Sequence, residues 1–167
     1  MIPKFKSFEA SVLFFNGMYK LPISAEPGFA AEQAWQNKRL DADLDRVQAL
    51  RVRMQDFFGT ILQKELDEWK DIDEKAKDAG SGTDVLDILV DLADLLCDIQ
   101  VYCASEMARF GLPNNEVLKI IMDSNFSKLG ADGTPIYDEN GKVCKGPGYW
   151  KPEPAIKALL IEMQEAR

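Results

Sequence analysis

Asp84-Val85-Leu86-Asp87-Ile88-Leu89-Val90-Asp91-Leu92-Ala93-Asp94-Leu95-Leu96-Cys97-Asp98-Ile99 is the stretch that decides the fold. Its aspartates recur at steps of three and four, the period of an α-helix; a strand would need alternation by two. Every position outside that seam between 85 and 99 is apolar. The expected element is therefore a helix buried around most of its circumference and carrying one acidic stripe. Thr83 or Asp84 supplies the N-cap, and Gly111 with Pro113 just beyond supplies the stop, so the helix should run to about Phe110.

Outward from this stretch, residues from about Asp43 to Lys77 are good helix formers that keep their period for about eight turns. Met54, Phe58, Ile61, Glu65, Glu68 and Ile72 follow alternating steps of four and three, so the two glutamates continue the apolar stripe. Glu65/Glu68 and Asp91/Asp94 are both i,i+3 pairs, with the two carboxylates of each on one face. Packed side by side, the two helices would gather four or five carboxylates, with no Lys, Arg or His among the stripe residues. Such crowding is unfavourable unless a cation joins it, and a hard divalent ion suits oxygen donors. The competing structural reading is a solvated acidic seam. Asp84 and Asp87 lie at the helix start, where acids suit the dipole; Asp91, Asp94 and Asp98 lie too deep for that account.

At 167 residues the chain is read as one domain, 1–167, long enough to bury a core. The net charge of −8 argues against nucleic acid as partner, since that binding relies on clustered Lys and Arg. The absence of histidine removes Ser-His and Cys-His chemistry and most zinc sites, and it weakens a di-iron bundle. Cys97, Cys103 and Cys144 lack metal-knuckle spacing, and the first two lie in an apolar helical run, which suggests buried thiols in a reducing compartment. No signal peptide or membrane span is legible, so a cytoplasmic location without a membrane partner is expected.

The remaining elements are a first helix over 5–20, a weakly helical segment over 29–40, a helix from Asn114 or Asn115 through Lys128, and a terminal helix over 153–166. Thr134–Tyr137 and Lys142–Lys145 flank Asn140-Gly141, a tight-turn signal for a small β-hairpin. The fold class is all-α with one β excursion near the C-terminus. A Mg²⁺ ion on the carboxylates would favour a ligand carrying several phosphates, with Mn²⁺ a possible substitute. Asn125 and Lys128, i,i+3 at a helix end, could hold a phosphate chain, or could be helix-terminal polar residues. Lys142, Lys145 and Tyr149 could close over the same site or lie in solvent.

The order Glu-x-x-Glu then acid-x-x-Asp resembles the MazG-like all-α nucleoside triphosphate pyrophosphohydrolases, which include dimeric dUTPases and phosphoribosyl-ATP pyrophosphohydrolases. Asp91-Leu-Ala-Asp94 with Asp98 one turn on, Phe110-Gly111-Leu112, Ser124-Asn125-Phe126-Ser127-Lys128-Leu129, Asp132-Gly133-Thr134-Pro135-Ile136 and Lys145-Gly146-Pro147-Gly148-Tyr149-Trp150 resemble strings of that family. Phe15-Asn16 with Leu21-Pro22-Ile23 fits as well, and residues 28–44 look like an insertion. The resemblance implies a MazG-like helical bundle that hydrolyses a nucleoside triphosphate between its α and β phosphates. Glu65, Glu68, Asp91 and Asp94 would hold Mg²⁺, with Glu65 also the candidate catalytic group. Asn125 and Lys128 would contact phosphates, and Asn16 the base or sugar. Asp98, Lys145 and Tyr149 complete the candidate substrate-binding set. Homodimers or homotetramers with sites near subunit interfaces are implied. Lys64 stands where the family often has a first glutamate, so Glu65 or Asp98 must substitute, and Asp91 is one methylene shorter than the usual glutamate. A non-catalytic nucleotide- or metal-binding helical oligomer is the alternative.

Overall fold

Ser7 accepts the Ala10 N–H at 3.1 Å and so starts helix α1 (Phe8–Met18) in the computed structural model. The structure describes residues 4–25, 27, 46–80 and 82–166. The expected helix over 29–40, the suspected insertion over 28–44 and the expected helix start at Asp43 lie outside those residues. Helix α2 (Arg46–Asp56) passes into a π turn (Phe57–Ile61) and then into α3 (Leu62–Lys77). Helix α4 spans Gly82–Arg109, α5 spans Asn114–Phe126 and α6 spans Pro152–Glu165. The all-α expectation holds for the described residues, where no strand forms.

The chain divides into two compact units, Met1–Ser24 with Phe29–Phe110, and Ala25–Gly28 with Gly111–Arg167. In the first, α3 packs along α4, and α1 also lies against α4. Lys75 meets Asp91 across the α3–α4 pair, and Glu65 meets Tyr102, so the two helices run antiparallel. Among the described residues, Val12, Phe57, Leu95, Ala104 and Ala108 are the buried apolar ones. Ala104 and Ala108 are small and one turn apart, and the Ala108 carbonyl accepts the Ser24 N–H at 2.9 Å.

Three expectations need correction here. The apolar stripe Met54-Phe58-Ile61 does not lead into Glu65: Phe57 is buried while Phe58 is 56% exposed, and Met54 is exposed too. The π turn explains this, because its wider winding breaks the period assumed across residues 54–65. Nor is the aspartate helix buried around its circumference. Leu86 is 61% exposed, and Leu89, Val90 and Leu96 are also open. Cys97 and Cys103 are exposed thiols rather than buried ones. Leu86 and Ala104, like Val90 and Ala108, are separated by about five whole turns and so share one face. That face is covered in the second half of α4 and bare in the first.

In the second unit α5 packs against α6. The expected hairpin reduces to one antiparallel bridge, Tyr137 with Val143, around a turn. Asp138 N–H donates to the Lys142 carbonyl and Cys144 N–H to the Ile136 carbonyl, while Gly141 takes φ +75° in the turn. The ladder stops there for two reasons. Residues 131–143 are all exposed, so no apolar face rewards pairing. The return arm is also pulled away, because the Gly146 N–H donates to the Lys128 carbonyl at 2.8 Å. A Cβ on Gly146 would overlap the Leu129 carbonyl, which is backbone and cannot give way. Gly146→Ala is therefore expected to cost at least about 2 kcal/mol. Chemical denaturation should read that loss, with Gly148→Ala as a milder control, since Gly148 has only an ordinary contact.

Candidate functional site

Glu65 sits on the inner side of α3, only 8% exposed. Tyr102, on α4, lies close enough for the Glu65 carboxylate to act on its phenol. Burial first, then the charge and hydrogen bond of Glu65, then the charges of Asp98 and Glu68, hold the Tyr102 phenol above its ordinary range. Carboxylates from both helices thus act on one hydroxyl. Glu68 and Asp98 are themselves solvent-exposed.

The other two acids of the expected cluster are placed differently. Asp91 is bound by Lys75 Nζ at 2.6 Å, and Asp94 is exposed. The neutralising cation that the stripe residues lacked is Lys75, one step beyond Ile72 in the same three-four pattern. Among the described residues, no group of three or more acidic or cysteine side chains is gathered tightly enough to hold a metal ion. The donors are nevertheless all carboxylate oxygens, which suits magnesium over softer metals. Among the described residues the set forms no closed protein cage.

Beside Tyr102 lies a cavity of about 580 Å³ within the first unit. Phe8, Phe15, Phe57, Ile61 and Val101 give it an apolar wall. Asn16 is wholly buried in this wall, with its Oδ1 accepting the Ser105 hydroxyl at 2.9 Å and its Nδ2 lacking any partner. A buried donor left unpaired costs about 1–3 kcal/mol, so an acceptor brought by a ligand would recover that amount.

Three charged groups of the same cavity, Arg53, Glu106 and Arg109, are paired with one another, and Arg53 also with Asp56 outside its lining. Arg53 grips Glu106 through Nε and Nη2 at 2.7 and 2.6 Å and Asp56 through Nη1 at 2.7 Å. Arg109 Nε approaches Glu106 at 3.3 Å. Burial opposes the Arg53 charge, but Glu106 and Asp56 outweigh it and raise its pKa. Arg109 is lowered, by burial first and then by the neighbouring Arg53.

Asn125 pairs with Lys128, and Lys145 with Tyr149, in the second unit. Lys128 Nζ donates to Asn125 Oδ1 at 2.7 Å, and Lys145 Nζ stands 4.5 Å from the Tyr149 ring centroid. The Ser124 and Ser127 side chains fasten the strap that follows: Ser124 Oγ donates to the Trp150 carbonyl at 2.9 Å, and Trp150 N–H donates to Ser127 Oγ at 3.2 Å. The serines are thus structural, while the amide and the lysines project from the fastened frame.

Sequence reasoning missed Tyr102, Ser105, Arg53, Glu106 and Arg109 at this site. A signal existed for three of them: continued past Asp98 by steps of four and three, the acidic seam reaches Tyr102, Ser105 and Arg109.

Because the folded chain holds the Tyr102 proton more tightly, this group's contribution to stability is complete below the ordinary tyrosine pKa. It is lost as pH rises through the higher folded value. An ultraviolet phenolate titration, with Tyr102→Phe identifying the signal, should show one late-ionising tyrosine. Glu65→Gln should move that midpoint down towards the ordinary value. An unchanged midpoint would separate Glu65 from Tyr102.

No protein-family model matches this chain, and no curated protein matches it. A solved structure from Exiguobacterium sp. 255-15, named a "putative NTP pyrophosphohydrolase", is similar with a TM-score of 0.48 and 20% identity, covering 96% of this chain and 99% of that one. This degree of likeness assigns neither family nor activity.

Proposed function

We propose that the chain is a MazG-like nucleotide pyrophosphohydrolase that cleaves a nucleoside triphosphate between its α and β phosphates. The observation that carries the reading is an aromatic-walled cavity lined by Asn16, Asp98 and Tyr102, with the carboxylate of Glu65 buried on the helix packed against α4. The resemblance of the acidic motifs and of the Ser-Asn-Phe-Ser-Lys-Leu string supports it. Glu65, Glu68, Asp91 and Asp94 would hold Mg²⁺, entering with the nucleotide. Bound there, the ion would polarise phosphoryl oxygens and lower the pKa of a water.

The chain's own groups carry the rest. Asn16 offers its unpaired amide N–H to the base. Lys128 and Lys145, with Asn125 and Tyr149 beside them, offer the positive charge that phosphate oxygens need. In the proposed reaction a water oxygen bonds to the α phosphorus as the bridging α–β bond breaks and pyrophosphate leaves. The water's proton passes to Glu65, the carboxylate most removed from solvent.

A second reading has its own observation. Lys75 already neutralises Asp91, and Lys64 occupies the place of a family glutamate. Both favour a module that binds nucleotide and metal without turnover.

One experiment separates the two readings. Ribo- and deoxynucleoside triphosphates incubated with Mg²⁺ should yield monophosphate and pyrophosphate, and Glu68→Ala should lower the rate by about tenfold or more. Release of orthophosphate alone contradicts the first reading. Calorimetric binding without any turnover supports the second. Since the protein cage is incomplete, Mg²⁺ alone should raise the melting temperature less than Mg²⁺ with a non-hydrolysable triphosphate.

The bare face of α4 is proposed to meet a second copy of the chain. Leu86, Leu89, Val90 and Leu96 continue a face that is buried further along the same helix, and an open apolar stripe of this kind marks an interface. Light scattering after size exclusion should report a dimer or tetramer, and Leu89→Glu should shift it towards monomer. A wild-type monomer at tens of micromolar would remove this part of the reading. Among the described residues no helix is long and apolar enough to cross a membrane.

A further inference from the structure

We propose that Ser105 is a positioning residue that sets base specificity: its hydroxyl fixes the Asn16 amide so that the cavity selects a heterocycle presenting a carbonyl oxygen. This rests on the nucleotide reading above and goes further, to the polarity of the base.

The cavity holds one planar heterocycle comfortably at about 580 Å³. Of its charged groups, Arg53, Arg109 and Glu106 are paired with each other, and Asp98 is an exposed carboxylate, so an anionic group on the ligand would find no free cation there. What remains among aromatic and aliphatic side chains is one buried donor, Asn16 Nδ2. A ring carbonyl facing it completes the hydrogen bond. An exocyclic amino group at the same point sets donor against donor, and a site built around a buried polar atom rejects such a ligand strongly.

Asn16 could not impose this alone. An amide turned over by half a rotation presents oxygen instead of nitrogen, and the two forms have nearly the same shape. Ser105 breaks the tie. Its Oγ donates to Asn16 Oδ1 at 2.9 Å, which engages the oxygen and leaves the nitrogen as the end without a partner. The Asn16 backbone is held as well, its carbonyl accepting the Leu21 N–H at 2.8 Å. The side chain thus has one orientation in a fixed frame.

The test uses nucleosides that differ in this one group, inosine against adenosine and deoxyuridine against deoxycytidine. Their binding to the full chain is followed by NMR, including the side-chain amide of Asn16. The oxo member of each pair should bind about tenfold tighter or more. Ser105→Ala should bring the members of each pair within about threefold by freeing the amide to turn, and Ser105→Thr, which keeps the hydroxyl, should restore the preference. Asn16→Asp, which offers only acceptors, should invert it. Equal affinity within the wild-type pairs, no binding of any of the four, or a folded Ser105→Ala protein with its preference intact overturns the proposal. Should a variant fail to fold, the wild-type pairs still decide. Nucleosides carry no phosphate, so selection without triphosphate hydrolysis contradicts only the proposed activity, and hydrolysis without selection contradicts only the role of Ser105.

Discussion

The burial of the Glu65 carboxylate beside the Tyr102 phenol is the constraint around which the first unit is arranged. A carboxylate this far from water tolerates few surroundings, and a phenol one helix away adds polarity without adding charge. The register of α3 against α4 follows from it. With Glu65 opposite Tyr102, the antiparallel pairing brings Lys75 level with Asp91 near the other end. That exposed ion pair contributes little to stability, but it decides which acids remain available. Glu68, Asp94 and Asp98 stay solvent-facing; Asp91 is already matched.

The second unit separates support from display. Ser124, Ser127 and Gly146 hold the strap to the end of α5 through main-chain atoms. Asn125, Lys128 and Lys145 lie between those anchors in sequence and carry the amide and ammonium groups. A string such as Ser-Asn-Phe-Ser-Lys-Leu therefore mixes two kinds of requirement, and its alternate positions answer to different physics.

Much of the helical skeleton was legible because it rests on local chemistry. The helix-forming run to Lys77, the cap at Thr83 or Asp84 and the stop near Gly111 mark the end of α3 and the bounds of α4 to within two residues, and the terminal helix lies one residue from its expected place. The site was legible only in part. Both stripes were read as far as their chemistry stayed uniform, ending at Ile72 and Asp98. The next steps, Lys75 and Tyr102, change character from apolar to cationic and from acidic to phenolic, and those are the residues that define the electrostatics. The small hairpin failed for a different reason: a turn signal fixes a reversal of the chain, but a ladder also needs a face to bury. The bare side of α4 was unreadable for want of any local cue, since a residue's hydrophobicity does not say which molecule covers it.

The π turn at Phe57–Ile61 has a consequence for how one continuous rod can serve two purposes. Twelve residues separate Arg53 from Glu65, and on a regular α-helix they would point about 120° apart. Both nevertheless reach α4, at Glu106 and Tyr102. The wider winding takes up roughly one residue's rotation, leaving a divergence of about 20°. This short segment acts as a vernier between two otherwise mismatched stretches of helix. Shortening it by one residue would leave the rod unbroken yet force a choice between anchoring the guanidinium and sheltering the carboxylate.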